Sequence, residues 1–187
     1  MEKKADRRFY LKHFKAISHA ISTYEDLNKL MKHLAEGTGR TFKAKGCCIM
    51  LFDEIERRLI HMASYGVSEV YLDKGPLFIN DEDSAFSTGQ PVFIEDMRND
   101  PRVQYPEAAS EEGIVSMLSI PIKCRKAIVG ILRIYYGEPW MLHEEDIDSL
   151  CVLTGLLGLV IDNSGLRNFQ LKVMDALDSL PPRMLEG

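Results

Sequence analysis

The residue whose chemistry stands out is Arg133, set in the apolar run Ile131-Leu132-Arg133-Ile134. A guanidinium in such a strand is costly unless it is paired or reaches solvent. One role that meets this condition is to anchor an anionic ligand, since guanidinium holds carboxylate or phosphate through two parallel hydrogen bonds. The other is structural, an ion pair with Asp96 or Glu95, or a place at the solvated rim. His61 lies in another strand-like run, but no second histidine stands at a spacing that would complete a metal or haem site. Tyr65, Tyr105 and Tyr135 are of the type that stacks on an aromatic ligand or fills a core. With Asp96 and Ser116 these residues make up the polar candidates for a pocket: His61, Tyr65, Asp96, Tyr105, Ser116, Arg133 and Tyr135.

Catalytic constellations are missing from the sequence. Cys47 and Cys48 are adjacent, Cys124 and Cys151 stand alone, and no C-x-x-C pair is present to build a zinc site or a dithiol redox centre. The cysteines read as small buried hydrophobes. Ser84, Ser87, Ser110 and Ser116 lack the G-x-S-x-G surroundings of an activated serine. With no set of nucleophile, base and orienting group, the chain is expected not to be an enzyme.

The elements that must position these residues belong to one domain with helical arms, the number that 187 residues with 45% hydrophobic content can support. A formal net charge of -5 argues against a nucleic-acid or anionic-membrane partner, both of which need a basic field. Lys3, Lys4, Arg7 and Arg8 form a short terminal patch that reads as a solvated helix start. The first residues carry charges where a signal peptide has an apolar core, and the apolar run from Cys151 to Ile161 falls short of the roughly 20 residues that span a bilayer. A cytoplasmic protein is expected.

Phe9, His13, Ala16, Ile17, Ala20 and Ile21 recur at helical spacing from Asp6 to Ser22. A second helix, capped by Ser22 or Thr23, carries Leu27, Leu30, Met31 and Leu34, and Gly37 and Gly39 are expected to end it. Gly46 to Phe52 and Arg58 to Tyr65 read as a hairpin whose first strand is central in the sheet. Between Val67 and Glu112 the pattern is irregular, with short helices predicted at Ser68 to Lys74, Asp83 to Thr88 and Pro106 to Glu112 and an edge strand at Pro91 to Ile94. A structured stretch of that length inside a compact domain is usually functional. Val115 to Lys123 and Lys126 to Tyr136 form a second hairpin. Glu144-Glu-Asp then opens a long helix, with Asn163-Ser164-Gly165 its weakest point.

This order gives an α+β fold: an antiparallel sheet with the N- and C-terminal helices on one face and short helices and loops enclosing a pocket on the other. Side chains alternate faces along a strand. The odd sets His61, Ala63, Tyr65 and Ile131, Arg133, Tyr135 carry the polar groups and are expected to face the pocket.

The segment Ser87-Thr-Gly-Gln-Pro-Val-Phe-Ile-Glu-Asp96, the loop Asn99-Asp-Pro-Arg-Val-Gln-Tyr-Pro106, Glu112-Gly-Ile114, Ser119-Ile-Pro-Ile122 and Val129-Gly-Ile-Leu-Arg-Ile-Tyr135 together resemble a GAF domain, a small-molecule sensing module of signalling proteins. The resemblance runs from about Tyr24 to Leu166. It implies residues 1–22 as a dimerisation or signalling helix, 23–166 as the GAF-like domain and 167–187 as a helical extension and tail. It implies a regulatory module whose pocket takes a small organic molecule, with a ligand-free dimerisation module as the alternative. Cyclic-nucleotide relatives of the phosphodiesterase type end the last strand in Asn-Lys, followed by Phe and Asp-Glu. Tyr135 to Asp146 has no Asn-Lys and places Trp140 for Phe, and helix capping accounts equally for the acidic residues that remain. Bilin-binding relatives attach their pigment through a cysteine commonly followed by histidine, and this chain has no Cys-His, which argues against covalent attachment. Free methionine sulfoxide reductases of this fold use cysteines in the irregular cover, which here holds none. The helices imply a homodimer through Phe9, Ala16, Ile17, Leu157, Ile161 and Leu166, with a downstream signalling protein as recipient.

Overall fold

A computed structural model describes residues 15–16, 19–21, 23–24, 26–79, 81–139 and 142–178, with side chains as far as residue 165. The helix read from Asp6 to Ser22 lies mostly outside these residues, as do Phe9 and Ile17. Ala16 is helical and exposed.

Helix α1 (Leu27–Thr41) starts at Asp26 rather than at Ser22 or Thr23. The Asp26 carboxylate accepts from the backbone N–H groups of Asn28 and Lys29, satisfying two donors that the first turn leaves open. Thr23 instead donates to the His19 carbonyl. Gly37 and Gly39 lie within α1 and do not end it. Gly39 serves packing, because a Cβ there would overlap the ring of Tyr65.

Six strands follow among short helices: β1 (Gly46–Asp53), β2 (Arg58–Tyr65), α2 (Glu69–Leu72), β3 (Leu77–Phe78), α3 (Ala85–Thr88), β4 (Val92–Ile94), α4 (Pro106–Glu111), β5 (Ser116–Cys124), β6 (Ala127–Tyr136) and the long α5 (Glu144–Asp178). The strands form one antiparallel sheet in the order β3-β2-β1-β6-β5-β4. The two hairpins thus join through β1 and β6, and the short strands of the cover extend the sheet at both edges. Residues 163–165 leave α5 unbroken.

Period-two alternation divides the core into two layers. On one face α1 and α5 pack Leu30, Met31, Leu34, Leu150, Leu153 and Leu157 against Ile49, Leu118, Ile120, Leu132 and Ile134. On the other face Cys48, Met50, Met117, Ile131 and Tyr135 meet Tyr71, Leu77, Met97 and Ile114 from the cover. The 22 residues Glu144–Gly165 are long and apolar enough to cross a membrane by length and composition, a test that the shorter run Cys151 to Ile161 did not meet. Leu150, Leu153 and Leu157 are nevertheless buried against the sheet, as in a core helix.

The register of β2 contains the main departure from strict alternation. Ile49 pairs with Ala63, but Met50 pairs with His61, so Met62 is an extra residue opposite β1. Such a bulge reverses which face each side chain takes on either side of it. Leu59 and His61 are therefore on the cover side, whereas Ala63 and Tyr65 join the helix-side core. The expected set His61, Ala63, Tyr65 is split, while Ile131, Arg133 and Tyr135 share the cover face as predicted.

Candidate functional site

The cover is held over the sheet by a few specific bonds. Ser68 caps α2 by accepting from the Tyr71 N–H, and the Glu112 carboxylate accepts from both the N–H and the hydroxyl of Ser68, tying the start of the cover to its end. Gln104 clasps Phe78 of β3: its amide donates to the Phe78 carbonyl at 2.5 Å and its oxygen accepts from the Phe78 N–H at 3.1 Å. Tyr105 donates to the Pro76 carbonyl at 2.8 Å.

Beneath this cover lies a cavity of about 270 Å³, lined by Cys48, Met50, Arg58, Leu59, Ile60, His61, Leu72, Lys74, Gly75, Pro76, Leu77 and Tyr135. A smaller one of about 30 Å³ adjoins it, sharing Lys74 and Leu77 and adding Tyr71, Met97, Arg102, Tyr105, Met117 and Arg133 among others. Lys74 stands where the two meet. Its ammonium donates to the Tyr71 carbonyl at 2.8 Å and lies 3.8 Å from the centroid of the Tyr71 ring, a cation–π arrangement. Burial, and then the Arg133 charge, push the Lys74 pKa down, against the pull of Cys48 and Glu112. Tyr71 meets Tyr135 edge to face at 5.6 Å between ring centroids.

Arg133 has no ion pair among the described residues, and its buried Nε makes no hydrogen bond; the same holds for Arg58 Nε. The pairing expected with Asp96 does not form. Asp96 is half-exposed in the loop after β4, where it accepts from Asn99 and the Arg98 backbone and pairs with Arg98 at 3.5 Å. The Asn99 bond, first of all, holds its carboxyl below the usual range.

Of the other sequence candidates, Tyr135 is fully buried in the cavity wall and His61 lies at its rim, where burial lowers the imidazole pKa. Tyr105 lines the smaller cavity. Tyr65 is on the opposite face, with the Arg40 guanidinium 5.5 Å from its ring centroid. Ser116 shares the strand parity of Leu118 and Ile120 and donates to the Glu138 carbonyl at 2.7 Å, so its hydroxyl is engaged away from the cavity. The candidates thus converge only in part, on His61, Arg133 and Tyr135 with Tyr105 beside them. Lys74, Arg58 and Cys48 were missed. Lys74 carries a signal in the sequence, the first cation of the irregular stretch and directly ahead of Gly75-Pro76.

A family model for the GAF domain matches residues 26–161. The chain belongs to the GAF domain family. Among solved structures, the GAF domain of an Acinetobacter phosphoenolpyruvate-protein phosphotransferase superposes with a TM-score of 0.73 at 23% identity, over 83% of this chain and 94% of that one. The corresponding domain from Coxiella burnetii gives 0.75 at 20% identity, over 84% and 95%. A free methionine-R-sulfoxide reductase from Neisseria meningitidis, solved with its substrate, gives 0.69 at 14% identity, over 87% and 98%. These likenesses establish the fold. Comparison with curated protein sequences finds no significant match.

Within this GAF domain the cysteines have the opposite of an activated environment. Cys48 is the one that lines the cavity, and burial pushes its thiol up to about 11, outweighing the pull of Lys74 and Arg133. Cys47 points to the helix-side core and is also raised by burial. Among the described residues no group of three His, Cys, Asp or Glu side chains is placed to hold a metal ion.

Proposed function

We propose that this GAF domain is a non-catalytic small-molecule sensor in signal transduction, whose pocket biases a helical homodimer. GAF domains are commonly sensory or regulatory modules. The observation that carries the reading is the cavity of about 270 Å³ under the cover, on which Lys74 and His61 converge. A buried donor without a partner costs about 1–3 kcal/mol unless something binds it, and Arg133 Nε, on the cover face, is such a donor. The non-catalytic part is supported by Cys48, whose thiol is held protonated at neutral pH beside no second cavity cysteine.

The dimer is assigned to α5. Leu157, expected at the interface, is buried in the core, and Ile161 is half-buried against it. Val152 and Leu159, 52% and 56% exposed, lie on the far side of the helix. They continue in sequence at seven-residue spacing to Leu166 and Val173, the repeat that seams two helices together. Ligand-dependent change in the pairing of these helices would then reach a downstream signalling protein. The cytoplasm is the proposed compartment, consistent with four cysteines that form no disulfide.

Native mass spectrometry of protein purified from cells tests the reading. A small noncovalent adduct on each subunit of a dimer is the expected result. Bare subunits that also show no thermal shift with small metabolites would leave a dimerisation module without a ligand.

A further inference from the structure

We propose that the ligand is a compact organic anion, its carboxylate or phosphate group seated between Lys74 and Arg133 and its apolar part against Met50, Leu59 and Leu77. The proposal rests on the sensing reading above and narrows it to one chemical class.

Charge decides the class. The basic residues with side chains on the cover face of the two adjoining cavities are Lys74, Arg102 and Arg133, and no aspartate or glutamate lines either cavity. That is the reverse of the chain as a whole, in which 28 acidic residues outnumber 23 basic ones. The acids nearest the site are engaged elsewhere. Glu112 is held by Ser68, and Asp100 pairs with Arg102 from outside the cavity lining. Arg102 is thereby neutralised, which leaves Lys74 and Arg133 with no ion pair among the described residues.

Proximity of two of these cations sharpens the point. Arg133 lowers the affinity of Lys74 for its proton, so the two charges repel at a half-buried position. An anion between them removes that repulsion and gives the unpartnered Arg133 Nε an acceptor in a fixed geometry.

Size sets the other limit. About 270 Å³ lies just below the roughly 300–1,000 Å³ of pockets that hold drug-sized ligands. The space fits a short dicarboxylate or a three-carbon phosphate monoester, with thioether and leucine side chains as its apolar wall.

The test is calorimetric titration and thermal shift with succinate, glutarate, glycerol 3-phosphate and inorganic phosphate. Succinamide and glycerol serve as neutral counterparts. Expected is saturable binding of at least one organic anion, weakened tenfold or more in both Arg133→Gln and Lys74→Gln and unchanged in Arg98→Gln, whose side chain is exposed and paired with Asp96. Circular dichroism confirms that each variant folds, and Arg133→Lys replaces Arg133→Gln if the latter does not. Preference for a dicarboxylate over glycerol 3-phosphate, or the reverse, identifies the acidic group. Neutral counterparts binding as tightly as the anions would overturn the proposal. Failure of every probe, beside a neutral adduct in the native mass spectrum, would overturn it while leaving the sensing reading intact. Failure of every probe with no adduct would remove both.

Discussion

Cys48 of β1 and Arg133 of β6 are direct cross-strand partners, side by side on the cover face of the sheet. A buried thiol beside a guanidinium feels two opposed effects. Burial dominates and raises its pKa to about 11, while Lys74 and then Arg133 pull it down. Removing either cation should therefore raise it further. In Arg133→Gln and in Lys74→Gln, alkylation of Cys48 by iodoacetamide at pH 9, followed by peptide mass spectrometry, should be slower than in the parent. Equal or faster labelling in a folded variant would mean that the Arg133 charge does not reach the thiol.

The same cavity wall should make the protein sensitive to alkali. Cys48 at about 11 and Tyr71 at about 12 both hold their protons more tightly than in the unfolded chain, chiefly through burial. Each contributes stability that is fully present below its unfolded pKa and is lost as pH rises through the folded one. For Cys48 the window runs from about pH 9 to pH 11, and the loss is on the order of 2 kcal/mol. Lys74, whose pKa is lowered, acts the other way and gains stability as pH approaches its unfolded value. Urea unfolding of the parent should weaken between pH 8.5 and 11, and Cys48→Ala should flatten that decline. A variant with the parental slope would remove Cys48 from the account.

The fold was legible because its signals are local. Apolar runs marked the four long strands, and acidic residues at 144–146 marked the start of α5. The site was legible only where strict alternation survives. Arg133 and Tyr135 could be assigned to one face because β6 keeps its parity there, whereas the bulge at Met62 sends Tyr65 to the helix side and leaves His61 on the cover side. No residue type announces that bulge. Lys74 and Arg58 escaped notice for another reason: a lysine or arginine in a polar stretch looks solvated until the chain folds back over it. β3 was missed because two residues paired to Arg58 and Leu59 leave no periodicity to read.

Two glycines offer a contrast in helix packing. Gly158 of α5 lies against the turn end of β5, where a Cβ would overlap the Lys123 carbonyl oxygen. Gly37 of α1 has open space around it. Intrinsic propensity favours alanine by about 1 kcal/mol at both positions. Gly37→Ala should accordingly stabilise by about 0.5–1 kcal/mol, while Gly158→Ala should destabilise by about 1–3 kcal/mol as α5 is forced off the sheet. Urea midpoints at neutral pH measure both, and stabilisation by Gly158→Ala would contradict the close approach of α5 to β5.

The seam on α5 predicts how the dimer can be broken without harming the domain. Leu150, Leu153 and Leu157 occupy the sheet-facing side of the helix and are at most 4% exposed. Val152 and Leu159 lie on the other side, so a charge there does not enter the core. A carboxylate at either position would instead face its own copy across a two-fold axis, combining like-charge repulsion with loss of apolar burial. Val152→Glu and Leu159→Glu should each shift the light-scattering mass from two chains toward one, and together they should leave a folded monomer at micromolar concentration. Leu157→Glu, by contrast, should unfold the domain by placing an unpaired charge in the helix-side core. A parent protein with the mass of one chain, or a double variant that remains dimeric, would place the assembly elsewhere than on the stripe of Val152 and Leu159.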